Sequence, residues 1–304
     1  MGADIKLLRT RIKSVDSTLH LTRAMGLVAS SKIRRSGEAM LHGREYAGAV
    51  ENTVRLLASC RECGRSPYIS DRGGARTKII VIAGDRGLAG GYNAGVFRLA
   101  ASVAAGVAAG VVADVDGGVA ASVAADVDGG VDGAEFIPVG KRACERYGDG
   151  FLSSENFSFE DARSFSSYMC EEFARGEYDR LGIIYTKYIS MMKQEAELSW
   201  LLPLERVFRD AGGGKSAEKS EHGVVFEPDA LHVLNAAVPE YVAGEIFSKV
   251  RESFASEVAA RRMAMDSAEK NARQMISDLQ LAYNRARQGA ITQEITEIVA
   301  GSDA

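Results

Sequence analysis

The chain has 304 residues, a formal net charge of −4 and 46% hydrophobic residues. That length allows one or two domains, and a mildly acidic balance gives no overall attraction to nucleic acid. No secretory signal is expected, because Lys6, Arg9 and Arg11 come early with no apolar core behind them. The longest uncharged apolar run, Leu99 to Ala113, is too short and too rich in Ala and Gly to span a bilayer, so membrane association is expected only through partners.

From Asp4 to about Ser59 there is no Pro, and Ile5, Leu8, Ile12, Val15 and Leu19 recur at three-four spacing. This predicts a long helix with a coiled-coil seam. Lys6, Arg9, Arg11, Lys13, Arg23, Lys32, Arg34, Arg35 and Arg44 make it basic, which fits either a solvated face or a docking face for an acidic partner. Cys60-x-x-Cys63 follows. A closed zinc site needs four ligands and there is no second such pair, so ordinary reduced thiols are expected at Cys60, Cys63, Cys144 and Cys170.

Thr77 to Ala83 reads as a short buried strand. The glycine-rich turn Gly84 to Gly91 and a helix from about Tyr92 follow. Further strands are predicted at Glu135–Val139, Arg180–Tyr188 and Ala196–Leu202, and helices at Lys141–Tyr147 and Glu160–Arg175, the last with Phe165, Met169 and Phe173 inward. Alternating strands and helices predict an α/β domain with helices covering a sheet. The turn's spacing, Gly84-x-x-Gly87-x-x-Gly90-Gly91, is neither the dinucleotide fingerprint nor a phosphate loop. Glycines for a tight turn close to a rod are favoured over nucleotide binding.

Residues 99–134 read as a low-complexity insertion, in which Val111–Val119 recurs as Val123–Val131. Its Asp-x-Asp-Gly-Gly pieces lack the remaining ligands of a calcium loop. Ala211 to Gly223 reads as a surface loop. His20, His42, His222 and His232 have no sequence neighbours that suggest a catalytic triad. Between Arg251 and Val299 there is no Pro and a single Gly, Gly289, so a second long helix is expected. Met265, Ala268, Ala272, Met275, Leu279, Ala282 and Ala286 form its three-four seam, narrow enough for close helix approach. Antiparallel pairing of the two rods puts opposite each other residues whose numbers sum to roughly 290, and leaves about Arg287 to Val299 unpaired.

Three separated motifs carry a resemblance. Ile12-Lys-Ser-Val15, Thr18, Leu21-Thr-Arg-Ala-Met25, Val28-Ala29, Lys32 and Arg34-Arg35 open the chain; Gly84-Asp-Arg-Gly-Leu-Ala-Gly-Gly-Tyr-Asn93 stands in the middle; Arg287-Gln-Gly-Ala-Ile-Thr-Gln-Glu294 with Glu297-Ile-Val299 closes it. In this order they resemble the gamma subunit of the rotary F-type ATP synthase. Ser17, Ala89 and Arg262 depart from that family's usual residues, and the insertion is longer than its norm. The resemblance implies an α/β fold: a long antiparallel coiled coil of N- and C-terminal helices (1–60 and 229–304) plus a Rossmann-like α/β domain (76–228, with the low-complexity insertion 99–134).

By resemblance the chain is a central-stalk rotor subunit without a catalytic site or cofactor of its own. It would couple proton flow through the membrane sector to ATP synthesis or hydrolysis in a ring of alpha and beta subunits. The other partners implied are an epsilon-type subunit and the membrane c-ring, with the complex peripheral to the bacterial inner membrane on its cytoplasmic side. Met25, Lys32, Arg34, Arg35, Arg287, Gln288, Thr292 and Glu294 are the candidate torque contacts with the ring. Ile291, Ile295, Ile298 and Val299 are the candidate apolar bearing tip. The competing classes are a nucleotide-binding α/β enzyme, a nucleic-acid-binding helical protein and a static coiled-coil scaffold.

Overall fold

The computed structural model describes residues 2–74, 76–108, 134–210 and 226–302. They group into two compact units, Met1–Lys32 with Arg261–Ala304, and Ile33–Ala260. Two helices contribute to both units: α1 (Gly2–Ala58) and α6 (Ala230–Ser302).

In the first unit α1 turns Ile5, Leu8, Ile12, Val15, Leu19 and Met25 half inward, and buries Thr22, Gly26 and Ala29. The predicted three-four seam is therefore present and continues beyond Leu19. A Cβ on Gly26 would stand 3.0 Å from Arg262 Nη1 and 3.5 Å from Met265 Cβ, so α6 crosses α1 closely at this glycine. The facing numbers 26 and 265 agree with the antiparallel register. On α6 the seam departs from strict alternation. Met265 and Ala272 are buried, but Met275 is 45% exposed and Ala282 is exposed, while Ile276 and Tyr283 are turned inward. Two four-residue steps in succession, Ala268 to Ala272 to Ile276, replace a three-four pair. An α-helix of 3.6 residues per turn drifts against a strict heptad, and an extra four-residue step resets it.

The second unit is built on a four-stranded sheet in the order β2-β1-β3-β4. β1 (Thr77–Ile82) runs parallel to β2 (Ala134–Val139) and to β3 (Arg180–Tyr188), with Thr77 opposite both Ala134 and Arg180. β4 (Gln194–Leu202) is antiparallel to β3. The β-branched run of β1 is buried on both faces, as a central parallel strand requires. Its alternate side chains separate two cores. Ile79 and Val81, with Ile184 of β3, pack on Val96, Ala100 and Val103 of α2 (Tyr92–Ala108). Ile80 and Ile82, with Leu181 and Ile183, join Met169 and Phe173 of α4 (Phe159–Arg175) and Leu234, Val238, Val242 and Ile246 of α6.

Residues 99–108, read from sequence as the start of the low-complexity insertion, are the second half of α2, with Ala100 and Ala104 buried. Alanine is a strong helix former whatever its local complexity. The repeats beyond them and the loop Ala211 to Gly223 lie outside the described residues. α3 (Lys141–Tyr147) follows β2, and α5 (Leu204–Asp210) follows β4. A capping box between Ser158 and Asp161 starts α4, and Gly176, at φ 78°, ends it.

Within this unit α1 and α6 again approach through small residues. A Cβ on Gly43 would meet Ser248 Cα at 3.3 Å, and one on Gly244 would meet Tyr46 Cε1 at 3.0 Å and Ala47 Cα at 3.9 Å. The facing numbers agree with the antiparallel register here too. From Ala230 to Ala259 most of the circumference of α6 is buried, because one side meets α1 and another the sheet.

Candidate interaction surfaces

The glycine-rich turn joins β1 to α2. Gly84 N–H donates to Asn93 Oδ1 at 2.9 Å. Asp85 accepts from Ser153 Oγ at 2.8 Å and from Ser154 N–H at 2.8 Å, tying the turn to the loop before α4. Gly90 takes φ 60° and Leu88 φ 62°. A Cβ on Gly84 would lie 2.7 Å from Glu257 Cδ. Glu257 is 2% exposed, so this glycine exists to admit a buried α6 carboxylate. The reading of a tight turn against the rod therefore holds. A phosphate at this spot would meet a carboxylate and an N–H already in use, the opposite of an anion-binding helix start.

β3 is longer than β1, and its surplus edge is closed by α6. Thr186 N–H donates to Ser253 Oγ at 2.9 Å, Ser256 Oγ donates to Thr186 O at 3.0 Å, and Tyr188 N–H donates to Glu252 Oε1 at 2.9 Å. Arg44 of α1 donates to both oxygens of Glu252, at 3.2 and 2.6 Å. The carboxylate bond raises the Arg44 pKa over the opposing effect of burial. Tyr92 Oη reaches Ser253 O at 3.0 Å. Burial, more than the nearby Glu257 charge, pushes this phenol well up, so it stays a neutral donor. A polar strip of α6 thus locks one long helix onto the sheet, with each charged hydrogen bond contributing about 1.5–3 kcal/mol.

The proposed ring-contact residues separate into three settings. In the first unit Met25 and Lys32 are half-buried, beside an apolar outer surface of Leu21, Leu27 and Val28, all more than half exposed. In the second unit Arg34 and Arg35 point outward. Arg34 stands 3.5 Å from Glu38, but both side chains are open to water, so the pair contributes little. Arg35 has a companion that sequence reading missed. Arg251 of α6 donates to the carbonyls of Glu155 at 3.1 Å and Phe157 at 2.8 Å and lies over the Phe247 ring. Burial first, then the charge of Arg35, lowers its pKa. No periodicity distinguishes it from a solvated helix arginine, so only the fold reveals it.

The third setting is the end of α6. Arg287, Gln288, Thr292 and Glu294 are exposed, and Thr292 Oγ1 donates back to Gln288 O at 2.9 Å. Ile291, Ile295, Ile298 and Val299 are 47, 57, 66 and 54% exposed. Four large apolar residues within nine positions are thus left uncovered within their own unit, the kind of exposure that is typical of interaction sites.

Among the described residues, the histidines lie on helix surfaces. His20, His42 and His232 each have a carboxylate three or four residues away, at 3.8, 3.7 and 2.9 Å. Asp229 also accepts from His232 N–H and so starts α6. Among the described residues no group of three or more metal-ligating side chains occurs, and no helix is long and apolar enough to cross a membrane.

A family model described as ATP synthase matches residues 4–304. The chain is 36% identical over 304 residues to the ATP synthase gamma chain of Alkaliphilus metalliredigens, covering 100% of this chain and 99% of the relative. It is 34% identical over 324 residues, with the same coverage, to the Acetobacterium woodii protein named ATP synthase gamma chain, sodium ion specific. A chain in the rotor of the Euglena gracilis mitochondrial ATP synthase shares the fold at TM-score 0.61 and 18% identity, covering 96% of this chain and 100% of that one. A chain in the central stalk and c-ring structure of the Tetrahymena thermophila enzyme does so at TM-score 0.58 and 19% identity, covering 82% of this chain and 99% of that one.

Proposed function

Because this chain belongs to the ATP synthase gamma-chain family, we propose that it is the rotor that couples ion flow through a membrane sector to catalysis in the alpha and beta subunits, without a catalytic site of its own. The helices 1–60 and 229–304 are its shaft, and 76–228 its α/β body. The observation that carries the reading is the combination of full-length family membership with two long helices paired through glycine and alanine. Small seam residues place the backbones close together and resist unwinding under torque.

The mechanism is differential contact. A single asymmetric rod cannot present the same surface to several equivalent catalytic subunits. Each subunit is then biased toward a different conformation, and turning the rod moves the bias. Arg34 and Arg35, with Arg251 behind them, supply positive charge to an acidic segment of a catalytic subunit. Met25 and Lys32, in the first unit, contribute further contacts. Arg287, Gln288, Thr292 and Glu294 contact the ring farther along α6, and Ile291, Ile295, Ile298 and Val299 turn inside an apolar sleeve. Each ion crossing supplies only about 2.3 kcal/mol per 100 mV, so several crossings must be transmitted as one step.

The coupling ion is proposed to be the proton, with the epsilon-type subunit and c-ring as the remaining partners, at the cytoplasmic face of a bacterial inner membrane. Glu257 against Gly84 supports a non-catalytic chain, since the glycine-rich turn is filled from within. Co-expression with alpha and beta subunits tests the proposal. A stable complex that hydrolyses ATP, from a chain inert by itself, is expected; robust turnover by the purified chain alone would overturn it.

A further inference from the structure

The segment joining α1 to the sheet carries a Cys-x-x-Cys pair for which the rotor reading has no use. Cys60 is extended (φ −72°, ψ 131°) and precedes the short turn Arg61–Arg65. Cys63 N–H donates back to Cys60 O at 3.1 Å. This closes a four-residue turn whose end Cα atoms lie within about 7 Å, matching the roughly 4.4–6.8 Å that a disulfide spans. Both thiols are free, and Cys60 Sγ donates back to Leu56 O at 3.9 Å.

Their surroundings differ as an exchanging pair requires. Cys60 is half-buried, whereas Cys63 is 0% exposed, in the same core as Val54, Leu57 and Tyr68. Burial, then the neighbouring Cys60, pushes the Cys63 thiol up, so attack on an outside molecule starts at Cys60. The chain beyond is fixed, because Ser66 Oγ donates to Asn235 Oδ1 at 2.7 Å and Leu204 N–H donates to Tyr68 O at 2.9 Å. The pair therefore sits on an anchored backbone rather than on a loose loop.

We propose that Cys60 and Cys63 form a dithiol–disulfide switch that exchanges with low-molecular-weight disulfides. Cys60 loses its proton and attacks one sulfur of the external disulfide, forming a mixed disulfide and expelling one thiolate. Cys63 then loses its proton and attacks the Cys60 sulfur, which closes the protein disulfide and expels the second thiolate. The protein gives up two electrons and two protons, and the external disulfide leaves as two thiols. The bond would staple the turn at the end of α1 and tie that helix more firmly to the α/β body. The proposal does not rest on the rotor function, so it is tested on the chain alone.

The full-length chain is equilibrated with glutathione and glutathione disulfide at graded ratios. It is then quenched in acid, alkylated and mapped with trypsin, which cuts between the pair after Arg61. Oxidation is expected to remove Cys60 and Cys63 together from the alkylated pool and to yield two peptides joined by a disulfide, while Cys144 and Cys170 stay alkylated. Cys63→Ser should collect glutathione on Cys60, and Cys60→Ser should leave Cys63 unmodified. Two results would overturn the proposal: a persistent glutathione adduct on Cys60 of the unsubstituted chain with no joined peptides, or both thiols remaining free at ratios that oxidise the pair in the urea-unfolded chain. The unsubstituted chain carries the test by itself, so a variant that fails to fold does not weaken it.

Discussion

Replacing Gly84 with Ala is the sharpest probe of why the glycine-rich turn exists. The added methyl would sit 2.7 Å from Glu257 Cδ and 2.8 Å from Oε1, well inside contact distance. Gly84 does not have a positive φ, so the cost is collision rather than backbone strain. Glu257 is 2% exposed and must shift within a packed site, an overpacking cost of about 1–3 kcal/mol. At a urea slope of about 2 kcal/mol per molar, the unfolding midpoint should fall by roughly 0.5–1.5 M. Trp200, the only tryptophan, stands in β4 and reports unfolding of that unit by fluorescence. Glu257→Asp shortens the carboxylate side chain by one methylene. If collision is the cause, Gly84→Ala should cost at least about 1 kcal/mol less when combined with Glu257→Asp than in the parent, a coupling of ordinary size for touching residues. A Gly84→Ala chain as stable as the parent, or a loss that Glu257→Asp leaves unrelieved, would refute the packing account of this turn.

Other outcomes are equally specific. Glu172 is buried, and although burial opposes its ionisation, bonds from Tyr168 and from Lys78, at 3.0 Å, lower its pKa below the ordinary 4.5. Stability from this carboxylate is present above that ordinary value and is lost as pH falls through the lowered one. Glu172→Gln should therefore destabilise the chain at pH 7, by a margin that vanishes in strong acid, read from urea midpoints across pH; a pH-independent margin would contradict the linkage. Reversing Arg34 and Arg35 to Glu should weaken coupled ATP synthesis in reconstituted vesicles at least several-fold while leaving the urea midpoint of the isolated chain nearly unchanged, since both side chains are exposed; unaltered synthesis would make them solvated residues only. Ile295→Asp with Ile298→Asp should likewise spare the isolated chain but lower its affinity for the alpha and beta subunits, measured by pull-down, and unchanged capture would remove the sleeve from the account.

What the sequence revealed depended on how local each signal was. The α1 seam was legible because apolar residues alternate with charged ones, leaving a single consistent face. The α6 seam was only half legible. Met275 stands beside Ile276 and Ala282 beside Tyr283, so two adjacent phases satisfy the hydrophobic pattern, and packing of the helix pair decides between them. The β1 turn was readable as structural from its spacing, yet its reason, a buried Glu257 far along the chain, was not. Glu252, Ser253 and Ser256 look like surface residues in sequence and are buried, because they serve the part of β3 that outruns β1. That mismatch in strand length arises only when the sheet assembles. Arg251 escaped notice for the same reason, as its carbonyl partners Glu155 and Phe157 lie on a distant loop.

Rotation itself is measurable on the assembled complex. Alpha and beta subunits assembled with this chain would be fixed to a surface, a bead would be attached through the α/β body, and ATP supplied. Unidirectional stepping of the bead in thirds of a turn is expected, with hydrolysis and stepping slowed together as ATP is lowered. Steady ATP hydrolysis by a complex that contains the chain while the bead stays still would contradict the rotor reading and leave a static scaffold in its place.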